Sequence, residues 1–336
     1  MRDDASQSIF FRGRRETVRE VVRVRGRSYS VLEKLSHRGA YRVFDRSAGP
    51  DGDYRVLYRL EKTKSARQKI DVLRRMTGPT ANRNFPTITD FHHTDSELIV
   101  VLSWVWGISL DDFLAKIRES QIARPVAPEV VRLIRGLTHG LAHYHRRSHL
   151  IHGDVTPANI LLTSNSTQLV LVDFGAAWPI QKTASKEIGD GVTLPYAAPE
   201  RLTEKHAGDF RGDVFSLAVV AYELLTMKIP YDGLGGQADL PPFRAHCENA
   251  LQAPSGLLHR NQEKRLPRQS IEKIDAYFST ALALEPENRF ATTSDWLRAT
   301  DELHGSIRDQ PVRSASGGWL LNQIDRAVEY FASKRN

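Results

Sequence analysis

His152 to Leu162 reads HGDVTPANILL, and Leu169 to Gly175 reads LVLVDFG. Apolar runs precede both polar clusters, so Asp154, Asn159 and Asp173 fall close together in the chain, on loops bounded by short strands. Such a set suits phosphoryl transfer. One carboxylate orients an attacking hydroxyl and accepts its proton, while an amide oxygen and a second carboxylate hold Mg²⁺ against nucleotide phosphates.

Upstream of this block the chain reads as strands. Val18 to Arg25, Tyr29 to Leu35, Ala40 to Arg46 and Tyr54 to Leu60 are separated by turns at Gly26 and at Gly49 to Gly52, and two more strands are expected at Thr87 to Phe91 and Glu97 to Leu102. A single helix, Ser65 to Met76, interrupts them. After Gly107 the period changes to helical: Leu110 to Glu119, then Pro128 to Arg147 with Val130, Leu133, Ile134, Leu137, Leu141 and Tyr144 on one face. Asp213 to Thr226 (DVFSLAVVAYELLT) is apolar almost all round, as a helix buried at the centre of a domain would be. Ser270 to Leu284 and Ser294 to Leu303 complete the helical part, with Gly305 expected to stop the last.

The composition is that of a globular protein: 40% hydrophobic and 26% charged residues, with 47 basic against 40 acidic side chains and a formal charge of +7. No apolar run approaches the roughly 18 residues of a membrane span, and no secretory leader is legible, so a cytoplasmic location is expected. The lone Cys247 can form neither an internal disulfide nor a cysteine-based zinc site. Eight arginines against four acids crowd the first 28 residues. Their alternation with valines reads as an edge strand with a solvated basic face, and no specific nucleic-acid partner is implied.

The catalytic-looking block resembles the protein-kinase pattern H-x-D-x-x-x-x-N followed by D-F-G. Tyr196 to Glu200 (YAAPE) is similar to the kinase A-P-E, and Pro286 to Arg289 (PENR) to its late Pro-x-x-Arg. The resemblance runs from about Tyr29 to Leu303. It implies an α+β, bilobal protein kinase-like fold, with a small antiparallel β N-lobe bearing one main helix and a larger, mainly α C-lobe. It also implies ATP and Mg²⁺ as cofactors. Asp154 would be the catalytic base, Asn159 and Asp173 catalytic metal ligands, and His152 and Phe174 packing elements below them. Glu200 would pair with Arg289, and Asp213, opening the buried helix, would anchor the catalytic loop through its backbone N–H groups. Val43 and Leu57 would roof the adenine and Leu161 floor it, while Leu102, Ser103, Trp104 and Val105 would link the lobes and bond the base.

The first lobe departs from that pattern. Ser36 to Val43 (SHRGAYRV) has none of the three signature glycines in place, although Gly39 allows close backbone approach. Arg59 stands where the phosphate-pairing Lys is expected, with Arg38 and Lys62 as other nearby cations, and no Glu lies on the Ser65 to Met76 helix to pair with any of them. In the catalytic loop Gly153 and Thr156 replace an Arg and a Lys, which removes a receptor for an activation-segment phosphate and a cation on the transferring group.

The expected organisation is a basic extension at 1–28, an N-lobe at 29–102, a hinge at 103–107, a C-lobe at 108–305, a linker at 306–318 and an amphipathic helix at 319–336. That last helix, with Leu320, Leu321, Ile324, Val328 and Phe331 on one face, would dock in cis or on a partner. The implied activity is transfer of the ATP γ-phosphate to a Ser or Thr of a protein substrate. The alternatives are a pseudokinase that binds nucleotide or a partner without turnover, and, given His-Gly-Asp, a small-molecule kinase. Against the latter, Thr193 and Tyr196 would shape a peptide platform, with Thr183 and Ser185 open to modification.

Overall fold

A computed structural model describes residues 8–36, 39–61, 63, 67, 82–94, 97–163, 168–173, 177–179, 193–202, 208–247, 251–258 and 266–308. The expected Ser65 to Met76 helix lies outside the described residues apart from Arg67. So do Arg38, Lys62, Phe174, Thr183, Ser185, the greater part of the 306–318 linker and the 319–336 helix. The chain divides into two compact units, one comprising residues up to 81 together with 86–105, the other 82–85 and 106 onward.

The first unit is a six-stranded antiparallel sheet with a hairpin in front of it. Strands β1 (Ser8–Phe11) and β2 (Arg14–Thr17) form the hairpin around Arg12 and Gly13, both at positive φ. The sheet contains β3 (Glu20–Val24), β4 (Arg27–Ser36), β5 (Ala40–Asp45), β6 (Asp53–Glu61), β7 (Ile88–His93) and β8 (Glu97–Ser103), in the order β3-β4-β5-β6-β8-β7. The basic extension therefore supplies the expected edge strand, starting at Glu20, with Val22 and Val24 buried and Arg23 exposed. The hairpin is an addition that the sequence reading passed over.

The sheet curls until its edge strands β3 and β7 approach each other, and the Tyr29 hydroxyl of β4 donates to Asp90 of β7 at 3.2 Å. Inside the curl, Val22, Val24, Tyr29, Val31, Val43, Leu57, Ile99 and Val101 make one closed apolar core.

The second unit is built on the helix Phe210–Thr226, buried along nearly its whole length as its all-round apolar sequence demands. Ala127–Ser148 and Arg268–Ala281 pack against it, Thr293–Arg308 packs on those two, and Leu110–Arg118 reaches it through the Arg118–Glu223 pair. The central helix starts three residues before Asp213, capped by Asp209, whose side chain accepts from Arg211 N at 2.8 Å. Asp213 thus does not open the helix, and its carboxylate is released for other work. The last helix runs through Gly305 to Arg308, because Ile307 is buried and the Ser306 carbonyl accepts from the Ser270 hydroxyl at 2.7 Å. Tertiary contacts here outweigh the glycine's helix penalty of about 1 kcal/mol. No described helix is long and apolar enough to cross a membrane.

Candidate active site

In the second unit, β10 (Leu150–Ile151) leads into the 152–159 loop. After it, β11 (Ile160–Thr163) and β12 (Leu169–Leu171) pair antiparallel, with β9 (Gly107–Ser109) on the other side of β11. The loop is held by Asp213. Its Oδ2 accepts from His152 N and its Oδ1 from Gly153 N, both at 2.8 Å, and His145 Nε2 lies 2.7 Å from Oδ2. Gly153 sits at φ +74°, a conformation that suits glycine and turns two successive N–H groups toward one carboxylate. Burial by itself would raise the Asp213 pKa. The bond and charge of His145, with the backbone donors, outweigh it and keep the carboxyl below its ordinary value. His152 is fully buried, and burial drives its pKa down to about 4 against the opposing pull of Asp213 and Asp173, so at neutral pH the ring is an uncharged packing element.

On this foundation Asp154 and Asn159 meet. Asn159 Nδ2 donates to Asp154 O at 3.0 Å and to its Oδ2 at 2.9 Å. The amide is thereby oriented with its nitrogen on the aspartate, and its oxygen is the atom suited to a cation. Asp173 follows Val172, whose N–H donates to Asn159 O at 2.8 Å, and Asp173 itself takes φ +60°, unusual for a non-glycine residue. Asp173 is half-buried and close enough to His152 to act on its charge. Among the described residues no group of three His, Cys, Asp or Glu side chains gathers as a cation cage. One carboxylate and one amide oxygen nevertheless fit Mg²⁺, which keeps several waters and completes its octahedron with substrate phosphates.

Leu161 is half-buried between the buried Ile160 and Leu162, so β11 turns it toward the opposite side from its core neighbours.

Farther along, Glu200 and Arg289 form a buried fork, with NH1 to Oε1 at 2.8 Å and NH2 to Oε2 at 2.9 Å. The remaining Arg289 donors reach the carbonyls of Ala283, Leu284 and Arg211, and its guanidinium stacks 4.8 Å above the Phe215 ring. Tyr196 donates to Glu223 Oε2 at 2.7 Å, and burial, then the Glu223 charge, raises its pKa. The other Glu223 oxygen pairs with Arg118.

Thr193 and Leu194 are exposed at the start of this segment. Gly235 and Gly236, which the sequence reading missed, let the segment lie flat: a Cβ on either would collide with the Pro195 or Ala197 carbonyl. A Gly-Gly pair following an apolar buried helix was the available signal. Asn84 also belongs here. Its side-chain amide donates to Leu169 O at 2.7 Å, and its backbone carbonyl accepts from Leu171 N at 2.8 Å.

In the first unit the structure divides the expected nucleotide residues. The β6–β8 register sets Leu57 opposite Val101, Arg59 opposite Ile99 and Val56 opposite Leu102, and the β5–β6 register sets Val43 opposite Arg55. Since side chains alternate between faces, Val43, Leu57 and Arg59 share one face and Leu102 lies on the other, with Val56 and Tyr58. Val43 and Leu57 are wholly buried in the core closed over by β3, so they have no surface left to roof a base. Arg59 is engaged by Glu20 at 2.6 Å and lies 3.7 Å from Glu97. Ser103 is tied to Thr87, its N–H donating to the Thr87 carbonyl at 2.8 Å and its hydroxyl accepting from Thr87 N at 2.9 Å. Trp104 packs edge-on to Tyr54, with centroids 5.7 Å apart, and Val105 ends the unit.

Residues 56–298 match the protein kinase domain family, and the chain belongs to that family. It is 33% identical over 243 residues to serine/threonine-protein kinase PknE of Mycobacterium tuberculosis, covering 68% of this chain and 39% of that one. It is 27% identical over 298 residues to PknF of the same species, covering 84% and 56%. The chain thus spans less than two thirds of the length of these curated relatives. Among solved structures, the Cydia pomonella granulovirus kinase PK-1 matches with a TM-score of 0.61 at 19% identity, over 81% of this chain and 93% of that one, which shows the shared fold.

Proposed function

We propose that this chain transfers the γ-phosphate of ATP to a serine or threonine hydroxyl of a protein substrate. The observation that carries the reading is the Asp213-held loop, in which Asp154 and Asn159 are fixed against each other beside Asp173, within a chain of the protein kinase family. Asp154 orients the substrate hydroxyl and takes its proton as the oxygen bonds to phosphorus and the bond to the ADP oxygen breaks. Asn159, through its amide oxygen, and Asp173, through its carboxylate, would hold Mg²⁺, which when bound would screen the charge of the phosphate oxygens. Thr193, Leu194 and the flat segment up to Glu200 receive the peptide. In the first unit the backbone of Trp104 and Val105 offers hydrogen bonds to the base. Consumption of ATP goes with the expected cytoplasmic location.

A second reading, nucleotide binding without turnover, is favoured by one observation: Arg59 pairs with Glu20 on the face opposite Leu102. Labelled γ-phosphate transfer from Mg-ATP, to the protein itself and to generic basic substrates, separates the two. Incorporation that vanishes in Asp154→Ala supports the enzyme. Its absence, with Mg-ATP still raising the melting temperature, supports the second reading.

A further inference from the structure

The β1–β2 hairpin precedes the family-matched residues, yet it is fastened to the strands that lead to Trp104. Glu16 of β2 accepts from Arg42 NH1 at 3.0 Å and NH2 at 2.5 Å, and also from the Tyr54 hydroxyl. The Arg42 guanidinium lies 4.7 Å over the Tyr54 ring. Phe11 of β1 packs against Phe44 and Tyr54 at centroid distances of 5.1 and 5.0 Å, and Tyr54 is in turn edge-on to Trp104. By register Tyr54 shares the face of Val56 and Leu102. The Glu16 side chain is only 13% exposed, so its bonds are sheltered from water and stronger than those of a surface pair.

We infer that Glu16 is a positioning residue for nucleotide binding, holding Arg42 and Tyr54 so that Trp104 is fixed where the base is received. The inference rests on the reading of the 102–105 segment given above. A carboxylate bonding two side chains of adjacent strands, one of which supports Trp104, couples the hairpin's seating to that segment with no contact to the ligand itself.

The test labels the five tryptophans of the full chain with 5-fluorotryptophan, assigns the Trp104 ¹⁹F resonance with Trp104→Phe, and compares Glu16→Gln and Tyr54→Phe with Phe10→Ala on the hairpin's exposed face. Both inner variants should move the Trp104 resonance while the other four stay in place, which also reports that the chain is folded. They should weaken Mg-ATP binding about 3- to 10-fold, the scale of one buried hydrogen bond lost, whereas Phe10→Ala should leave both unchanged. An unmoved Trp104 resonance in both variants overturns the inference, as does a moved resonance with unchanged affinity. A wild-type chain that binds no Mg-ATP overturns the reading of the site, and the inference with it. That failure is told from a failed coupling by the resonance, which is read without nucleotide.

Discussion

Arg289 of the second unit and Arg59 of the first hold their charges in opposite ways. In the second, two buried ions are fully partnered: Asp213 accepts from three donors, and Arg289 uses every one of its N–H groups on Glu200 and three carbonyls. In the first, Arg59 meets Glu20 at side-chain exposures of 33% and 49%, whereas Glu16 and Arg42 are more sheltered, at 13% and 16%. Partnered buried ions fix backbone to within a hydrogen-bond length, and that is what a reaction centre requires. An exposed pair such as Arg59 with Glu20 fixes little.

The largest effect should come from the residues that touch the reacting atoms. Asp154→Ala should lower phosphate transfer by about 10²- to 10⁴-fold, the range for loss of a general base. Asp173→Ala should abolish the thermal stabilisation by Mg-ATP. Equal stabilisation of wild type and Asp173→Ala would take the metal away from this loop, and with it the contrast between the units.

Next in size is the fork. Arg289→Ala leaves Glu200 as an unpaired buried carboxylate and should cost about 3–5 kcal/mol in urea unfolding. Arg289→Lys should recover only part of this, since an ammonium has three donors where the guanidinium has five. A loss below 1 kcal/mol for Arg289→Ala would mean that water enters to solvate Glu200.

The motifs were legible because their polar types stand out against apolar runs and resemble the kinase pattern, and the structure pairs Glu200 with Arg289, sets Asn159 on Asp154 and bonds Asp213 to the loop. The first unit was not legible to the same depth. Strand existence follows from alternating residues, but the face of a strand depends on register. Counting Arg59 as the phosphate partner selects the odd positions of β6, while Leu102 belongs with the even ones. A slip of one residue exchanges the two faces, and nothing within β6 fixes it; the long-range pairing to β8 and the closure by β3 do. The hairpin was missed for a related reason. Ser8 to Phe11 and Arg14 to Thr17 are four residues each, too short for a period to register.

His152 gives a smaller, pH-dependent test. Its folded pKa of about 4 lies below the usual histidine value near 6.5, so between these the unfolded chain binds the extra proton and stability rises with pH. Lowering the pH from 7 to 5 should therefore remove about 2 kcal/mol through this residue. Asp213, whose pKa is depressed, acts in the same direction at lower pH, its contribution being lost as pH falls through the folded value. In His152→Leu the loss between pH 7 and 5 should shrink by that amount. An unchanged pH slope would mean that the buried ring takes up its proton in place.

The smallest effect is expected at Arg59, and it is the one that sharpens the comparison most. With a half-exposed partner, Arg59→Met should change stability by less than about 1 kcal/mol. Because its strand position points away from the Leu102 face, phosphate transfer should stay within about threefold of wild type, and Glu20→Gln should behave the same way. If Arg59→Met instead lost a hundredfold or more in transfer while Glu20→Gln did not, the guanidinium would be leaving Glu20 to meet a phosphate, and β6 would contribute chemistry from the face assigned here to the core. The double variant decides between these. Independent surface sites give additive small effects, whereas a cation shared between Glu20 and a phosphate makes Glu20→Gln favourable on its own and silent once Arg59 is gone.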